Sequence, residues 1–199
     1  MNLWRDIPAG DKPPQLVNVI IEVMGGSRVK YEYKSEWGVF VLDRVLFSST
    51  VFPVDYGFIP RTWYGDNDPL DAMVLSYEPL EVGCLVKTRT IGVLVLEDEE
   101  GEDPKVLTVP VGDPRFDGFK NVHDLHPHRL REIQDFFEFY KRLEPRKWVK
   151  VKGWRNASEA RRIVDYSIRS YEEKILNIHA LGTGSRSTRV RRKGRQRSA

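Results

Sequence analysis

The chain has 199 residues, of which 40% are hydrophobic and 11% aromatic, so it is long enough to bury the core of one domain. Its single cysteine, Cys84, excludes an internal disulfide, gives no support for a cysteine-based zinc site and fits a reducing compartment. No window approaches the roughly 20 apolar residues of a membrane-spanning helix, and residues 1–15 lack the apolar core of a signal peptide. We therefore expect a cytoplasmic protein without a membrane partner.

Basic charge is concentrated near the end of the sequence. The formal net charge is +3, but residues 181–199 carry seven Lys or Arg residues and no acid, so residues 1–180 are net acidic. We predict one domain over residues 1–180 and a basic, flexible tail over residues 181–199. The alternative for the tail is weak, salt-sensitive attachment to nucleic acid or to an anionic surface.

The first half of the chain has the pattern of β-strands. Short β-branched or alternating segments, separated by Gly, Pro and Asp, predict strands at residues 17–23, 29–33, 38–43, 72–75, 85–96 and 105–111. In the second of these, alternation places Val29, Tyr31 and Tyr33 on the face toward the core. Lys30 and Glu32 then lie on the opposite face, toward a site or toward solvent.

Two helices are predicted in the second half. Apolar residues recur at three- and four-residue spacing over residues 128–143, and Pro145 ends that helix. A second helix is predicted to begin after Asn156, an N-cap with Glu159 as its capping-box partner, and to end near Gly182. Together these elements predict an α+β, mainly β fold, in which two helices pack outside a small barrel of many strands.

The sequence DNDPLD, which contains Asp66, Asp68 and Asp71, is the sharpest local signal. Three aspartates in six residues indicate either a solvated turn, which composition alone favours, or a cation site. The proline restricts the preceding aspartate to an extended geometry, and the apolar AMVL run anchors the loop to a strand. An EF-hand is disfavoured because its sixth position, normally Gly, is Asp71 and its twelfth, normally Glu, is Tyr77.

A second acidic run, EDEEGED at residues 97–103, lies between two predicted strands. By itself it predicts a solvated hairpin tip. It ends in Asp103, and Lys105 follows two residues later at the start of the next strand. Carboxylates that suit a metal, beside a lysine that suits an anion, are typical of a metal-phosphate site.

These segments resemble the motifs of the soluble family I inorganic pyrophosphatases. The loop DNDPLDA is similar to the family signature, and further matches occur in the same order along the chain: VKYE at residues 29–32, DR at 43–44, FPVDYGFIP at 52–60, GED-P-K ending at Lys105, and FFEFYKRLE and KWVKVKGW within 136–154. The resemblance spans about residues 15–178. It implies a five-stranded, OB-like β-barrel with flanking α-helices, hydrolysis of pyrophosphate to two phosphates, several Mg²⁺ ions per active site, and a homohexamer.

The resemblance also implies a role for each matching position. Asp68 resembles the general base, and Glu22 matches a supporting acid. The metal ligands implied are Asp66, Asp71, Asp98, Asp103 and Glu32, with Asp71 bridging two ions. The groups implied to hold the phosphates are Lys30, Arg44, Tyr56, Lys105, Tyr140 and Lys141. These residue types suit the reaction, because pyrophosphate is a polyanion that cations must neutralise before a nucleophile approaches.

One position departs from the pattern. Phe52 stands where many members of the family carry tyrosine, so a hydroxyl is missing near the substrate pocket, and we expect a modest effect on phosphate binding. Tyr56 and Tyr140 remain, although core packing is the alternative interpretation for both.

Two other functions compete with pyrophosphate hydrolysis. An OB-type nucleic-acid-binding module, assisted by the basic tail, would need aromatic and basic residues on an open sheet face, whereas the charged positions here are rich in Asp and Glu. A metal-dependent phosphohydrolase acting on nucleotides would need a base-binding motif, and we recognise none in the sequence.

Overall fold

The computed structural model describes residues 1–65 and 68–184, with side chains as far as residue 174. Its strands are β1 (Leu16–Val23), β2 (Val29–Lys34), β3 (Val39–Val45), β4 (Asp55–Phe58), β5 (Asp71–Val74), β6 (Leu85–Asp98), β7 (Gly101–Glu102), β8 (Lys105–Pro110) and β9 (Val149–Asn156). Its α-helices are α1 (Pro127–Phe139) and α2 (Ala157–Gly184), and two short 3-10 helices cover Pro114–Phe116 and Val122–Asp124. None of these helices combines the length and apolarity that are needed to cross a bilayer.

Five strands of the main sheet form a closed ring. They follow one another in the order β1, β4, β5, β8 and β6, and β6 pairs again with β1. Only the β5–β8 pair is parallel within this ring. The long strand β6 also pairs with β9 and with the short β7. The predicted mainly β, OB-like arrangement of five strands with flanking helices is confirmed.

The two helices cover different parts of the ring. Residues of α1, including Phe136 and Phe137, pack in a core cluster with Met73, Leu94 and Leu107. Ala160 and Val164 of α2 pack in a second cluster with alternate residues of the strands, including Val17, Val19 and Val93. Side chains that alternate along a strand point to opposite faces, so β1, β5, β6 and β8 each contribute to both clusters.

Strands β1 and β4 approach each other closely beside the cavity described below. A Cβ atom at Gly57 would lie 1.8 Å from the carbonyl oxygen of Ile20, so only glycine is accommodated at this position of the FPVDYGFIP motif.

Strands β2 and β3 form a separate two-stranded sheet. Tyr33 ties this hairpin to the ring, because its ring stacks on Phe58 at 5.8 Å and its hydroxyl accepts a hydrogen bond from the backbone N–H of Leu3. Val29 and Tyr31, which the alternation assigned to the core, are only half-buried. An isolated sheet of two strands has too little neighbouring structure to bury the side chains on either of its faces completely.

Helix α2 begins directly after Asn156, as predicted, but the end of α1 and the capping box of α2 differ from the sequence prediction. Helix α1 ends at Phe139 rather than at residue 143, and successive turns follow it. At the start of α2, Asn156 Oδ1 accepts from the N–H of Glu159 at 3.0 Å, as an N-cap should. The Glu159 carboxylate pairs with Arg162 at 2.9 Å, however, so the reciprocal half of the capping box is replaced by an ion pair.

Candidate active site

A cavity of about 360 Å³ opens where the β2–β3 hairpin, the ends of the ring strands and the turns after α1 meet. Within the described part of the chain, every residue assigned to the site by the family resemblance lines this cavity: Glu22, Lys30, Glu32, Arg44, Tyr56, Asp68, Asp71, Asp98, Asp103, Lys105, Tyr140 and Lys141. Asp66, the remaining predicted metal ligand, lies outside the described residues.

The charges around this cavity are strongly mixed. Among the described residues, eight carboxylates and five cationic side chains line it, so acids exceed bases by three. The charged lining residues that the sequence analysis did not assign are Asp43, Glu100 and Lys147. Asp43 is the first residue of the DR motif and Lys147 begins KWVKVKGW. The quoted motifs therefore contained two of these three residues, although no site role was assigned to them.

Lys105 lies at the centre of the carboxylate cluster. Its side chain is 4% exposed, and Nζ donates to Asp103 Oδ1 at 2.5 Å and to Asp71. The hydroxyl of Tyr56 donates to the same oxygen of Asp71. Burial by itself would lower the pKa of Lys105, but Asp103 and Asp71 raise it well above its usual value. Burial raises the pKa of Asp103 to about 6, although Lys105 opposes that shift.

Asp98 forms a second buried ion pair. Its carboxylate accepts from Lys141 Nζ at 2.7 Å, and both residues are less than 9% exposed. The same carboxylate accepts from the backbone N–H of Glu100 at 2.9 Å, which fixes the β6–β7 turn. The acidic run at residues 97–103 is therefore a hairpin tip, as its composition indicated, and it also places Asp98 and Asp103 in the cavity.

The β2–β3 hairpin supplies the opposite wall. Lys30 Nζ lies 2.7 Å from Glu32 and 3.5 Å from Asp43. Arg44 pairs with Asp43 and with Glu144. Burial would raise the pKa of Glu32, but Lys30 and Lys34 lower it to about 2. This carboxylate is therefore ionised throughout the physiological range.

Glu22 lies beneath the hairpin and is 8% exposed. Its Oε1 accepts from the backbone N–H of Tyr33 at 2.7 Å. Burial raises the pKa of Glu22 to about 8, only partly offset by that hydrogen bond. In the protein without bound cations, this carboxyl group is mostly neutral at pH 7.

We expect Glu22→Gln to remove a pH dependence of stability in EDTA-treated protein. The folded-state pKa lies above the ordinary value of 4.5, so the wild type loses stability as the pH rises between the two values. Glutamine keeps the acceptor for Tyr33 and does not ionise, so the variant should be more stable at pH 7 by up to about 3 kcal/mol. Urea unfolding from pH 5 to pH 8 measures this, and parallel curves for the two proteins would contradict it.

Hydrogen bonds of the Thr62 side chain anchor the loop that carries Asp68. This fully buried residue accepts from the N–H of Leu70 at 2.8 Å through Oγ1, which also donates to the carbonyl of Ile59 at 2.6 Å. Next to it, the N–H of Trp63 donates to the carbonyl of Ser167 in α2 at 2.9 Å. The loop is thus held at both ends by the ring and by α2.

Thr62→Val should therefore loosen the loop. It leaves a buried N–H and a buried carbonyl without their partner, which costs about 1–3 kcal/mol in the free energy of unfolding. Turnover should fall as well, because Asp68, which the family resemblance implies to be the general base, lies two residues before Leu70. Thr62→Ser keeps the hydroxyl and is the matched control. Urea unfolding and steady-state kinetics measure both effects, and equal behaviour of the Val and Ser variants would refute the role.

Aromatic side chains form the floor of the cavity. Phe52 is 1% exposed and packs against Phe136 at 4.8 Å and Tyr56 at 5.5 Å between ring centroids. Tyr56 and Tyr140 are also buried in the core cluster while they line the cavity, so the two interpretations of these tyrosines hold together. Burial raises the pKa of both hydroxyls, which therefore remain protonated donors.

The donor set of the cavity suits a hard cation. No Cys or His side chain among the described residues lines it, and carboxylate oxygens are the ligands that Mg²⁺ prefers. Among residues 1–65 and 68–174, no three acidic, His or Cys side chains already converge as a metal site. Lys105 stands between Asp71 and Asp103. An excess of three acids in a half-enclosed cavity is nevertheless an arrangement that bound cations would stabilise.

Comparison with known proteins gives a uniform result. A family model described as inorganic pyrophosphatase matches residues 19–172. The inorganic pyrophosphatase of Nostoc sp. (strain PCC 7120) is 45% identical over 172 residues, which cover 86% of this chain and 100% of the relative. That of Aeropyrum pernix is 45% identical over 168 residues, covering 83% and 96%. The crystal structure of inorganic pyrophosphatase from Thermus thermophilus superposes with a TM-score of 0.84 at 46% identity, covering 86% of this chain and 99% of that one. Because these matches span most of the chain and nearly the whole of each relative, the chain belongs to the inorganic pyrophosphatase family.

Proposed function

We propose that this protein hydrolyses inorganic pyrophosphate to two phosphates in a Mg²⁺-dependent reaction in which Asp68 is the general base. The observation that supports the proposal most directly is the cavity itself, where eight carboxylates face five cationic side chains. Such a site is net acidic, yet it contains a dense set of phosphate-binding groups. It therefore suits a polyanion that arrives together with divalent cations.

The carboxylates proposed to hold Mg²⁺ are Asp66, Asp71, Asp98, Asp103 and Glu32. Bound Mg²⁺ would supply charge neutralisation of the diphosphate and activation of the attacking water. Three of these carboxylates already form ion pairs with lysines, since Lys105 contacts Asp71 and Asp103 while Lys141 contacts Asp98. The same carboxylates would keep these lysines close to the place where phosphate oxygens bind.

The proposed phosphate-binding groups come from separate elements. Lys30 and Arg44 lie on the hairpin, Lys105 begins β8, and Tyr140 and Lys141 follow α1. Neighbouring carboxylates outweigh the effect of burial and keep Lys105 and Lys30 protonated, and the tyrosine hydroxyls are donors. These side chains would orient the diphosphate and stabilise the charge that develops on the leaving phosphate.

Asp68 is proposed to accept the proton of the attacking water on a carboxylate oxygen. Its side chain is open to solvent at the mouth of the cavity, so water reaches it. Partial burial and the nearby carboxylates of Asp71 and Glu32 raise its pKa above the usual value. A base whose pKa is closer to the working pH accepts a proton more effectively, as long as it remains mostly ionised.

The assembly and location of the protein are also proposals. We infer a cytoplasmic homohexamer, as the family resemblance implies, with residues 181–199 dispensable for catalysis. Several apolar side chains on and beside β3 are between 43% and 56% exposed, which supports contact between copies: Val39, Leu42, Val45, Phe47 and Val51. Analytical ultracentrifugation gives the mass of the assembly, and a monomer at micromolar concentration would exclude the hexamer.

A phosphate-release assay tests the proposed activity. Purified protein is incubated with pyrophosphate or with ATP, each with Mg²⁺ or with EDTA. We expect rapid release from pyrophosphate with Mg²⁺, little from ATP, and almost none in EDTA. Release from ATP alone would indicate a nucleotide phosphohydrolase. No release from either substrate, combined with salt-sensitive binding of single-stranded nucleic acid, would favour the binding module.

A further inference from the structure

Glu144 is a buried acid beside the cavity to which neither the sequence analysis nor the proposed mechanism gives a role. It is 8% exposed and lies in the turns that follow α1. Its Oε1 accepts a hydrogen bond from Arg44 Nε at 2.8 Å. The turn is fixed by its backbone, since the N–H of Glu144 donates to the carbonyl of Lys141 at 2.9 Å. A buried carboxylate is stable only when it is paired, and Arg44 is that partner.

The contact determines how Arg44 faces the cavity. Nη1 of Arg44 donates to Asp43, and Nε donates to Glu144. A guanidinium group is planar, so two fixed donors set the direction of the third nitrogen. Among the described residues, no protein group accepts a hydrogen bond from Nη2, and the Arg44 side chain lines the cavity. Nη2 is therefore the nitrogen whose N–H groups remain for a phosphate oxygen.

The same contact joins two walls of the cavity. Arg44 belongs to β3, in the two-stranded sheet that is separate from the ring. Glu144 closely follows Tyr140 and Lys141 in the chain, and the two partners are 100 residues apart in sequence. The ion pair thus sets the spacing between phosphate-binding groups on the hairpin and those that follow α1.

We propose that Glu144 is a positioning residue for substrate binding, which orients the guanidinium of Arg44 and holds the β2–β3 hairpin against the turns after α1. The proposal rests on the proposed function, because it assigns Arg44 to the substrate. Glu144 acts through Arg44 alone, so its effect should disappear when Arg44 is removed.

A double-mutant cycle tests this dependence. Glu144→Ala should raise the KM for magnesium pyrophosphate about tenfold while kcat changes less than about threefold. In an Arg44→Ala background, the same change should alter KM less than about twofold. Glu144→Gln keeps the acceptor oxygen and should restore most of the affinity. Glu138→Ala, at an exposed position of α1, is the matched control and should leave KM unchanged.

Two results would overturn the proposal. One is an equal rise in KM with and without Arg44, which would show that Glu144 acts independently of it. The other is an unchanged KM in a folded Glu144→Ala protein. If that variant is unfolded at the assay temperature, Glu144→Met preserves the side-chain volume and completes the same cycle.

An NMR measurement separates failure of the contact from failure of the proposed function. The Nε–H signal of Arg44, assigned by its loss in Arg44→Ala, should be protected from solvent exchange in the wild type and lose that protection in Glu144→Ala. Unchanged protection would disprove the contact whatever the activity. An inactive wild type that shows the protected signal would instead refute the proposed function and leave the contact intact.

Discussion

Replacement of Asp68 by asparagine should reduce kcat for pyrophosphate about a hundredfold to ten-thousandfold, the usual contribution of a general base. The amide has nearly the shape of the carboxylate but does not accept a proton at neutral pH. Asp68 is open to solvent at the cavity mouth, and its backbone carbonyl accepts from the N–H of Tyr64 at 3.0 Å whatever the side chain. The fold should therefore remain intact.

Steady-state kinetics at saturating Mg²⁺, together with a thermal unfolding curve, measure the effect of Asp68→Asn. Asp117→Asn is the matched control, because Asp117 is exposed and contributes only backbone contacts to the short helix Pro114–Phe116. This control should retain full turnover. Near-normal turnover of Asp68→Asn would remove Asp68 from the role of base and leave the other residues of the site in place.

The second large effect is expected at Lys105, both on stability and on activity. Lys105→Met fills a similar volume but leaves Asp71 and Asp103 facing each other without the cation that lies between them. Breaking a buried ion pair by removing one partner typically costs about 3–5 kcal/mol. Because Lys105 is proposed to bind phosphate, its loss should also lower kcat about a hundredfold or more.

Added Mg²⁺ should recover much of the lost stability, because the same carboxylates are proposed as its ligands. Urea unfolding of Lys105→Met with EDTA and with Mg²⁺ measures this recovery. The control is Lys87→Met, since the Lys87 side chain is 63% exposed and its surface pair with Asp11 should contribute less than about 1 kcal/mol. If Mg²⁺ does not reduce the difference in the free energy of unfolding between Lys105→Met and Lys87→Met, that result would argue against a cation site at Asp71 and Asp103.

Several features of the protein follow from its sequence alone. Alternation along VKYEY correctly assigned Lys30 and Glu32 to one face, because the two-residue period of a strand is a local property. The acidic segment that ends at Lys105 was recognised as a hairpin next to a site, because turn residues separate two clear apolar runs. Motif order then identified the family, and the comparisons confirm it.

Other features depend on the tertiary structure. Strand β4 was not predicted, since its four residues DYGF are all buried and show no alternation, and only pairing with β1 and β5 makes them a strand. Strand β9 was also missed, and its long pairing with β6 defines it. Helix α1 ends before the apolar periodicity does, because the chain turns after Phe139 to bring Tyr140 and Lys141 into the cavity.

The ion pairs of the site were equally inaccessible to sequence reasoning. Sequence patterns indicated which residues carry charge, but several of these charges also pair with a residue from a distant element, as Arg44 and Glu144 show. Electrostatic energy and pKa depend on separations of a few ångströms and on burial, which no local pattern encodes. The sequence therefore determined the chemical composition of the site, whereas the packing of the ring, the β2–β3 hairpin and the turns after α1 decided which of the distant charges face each other.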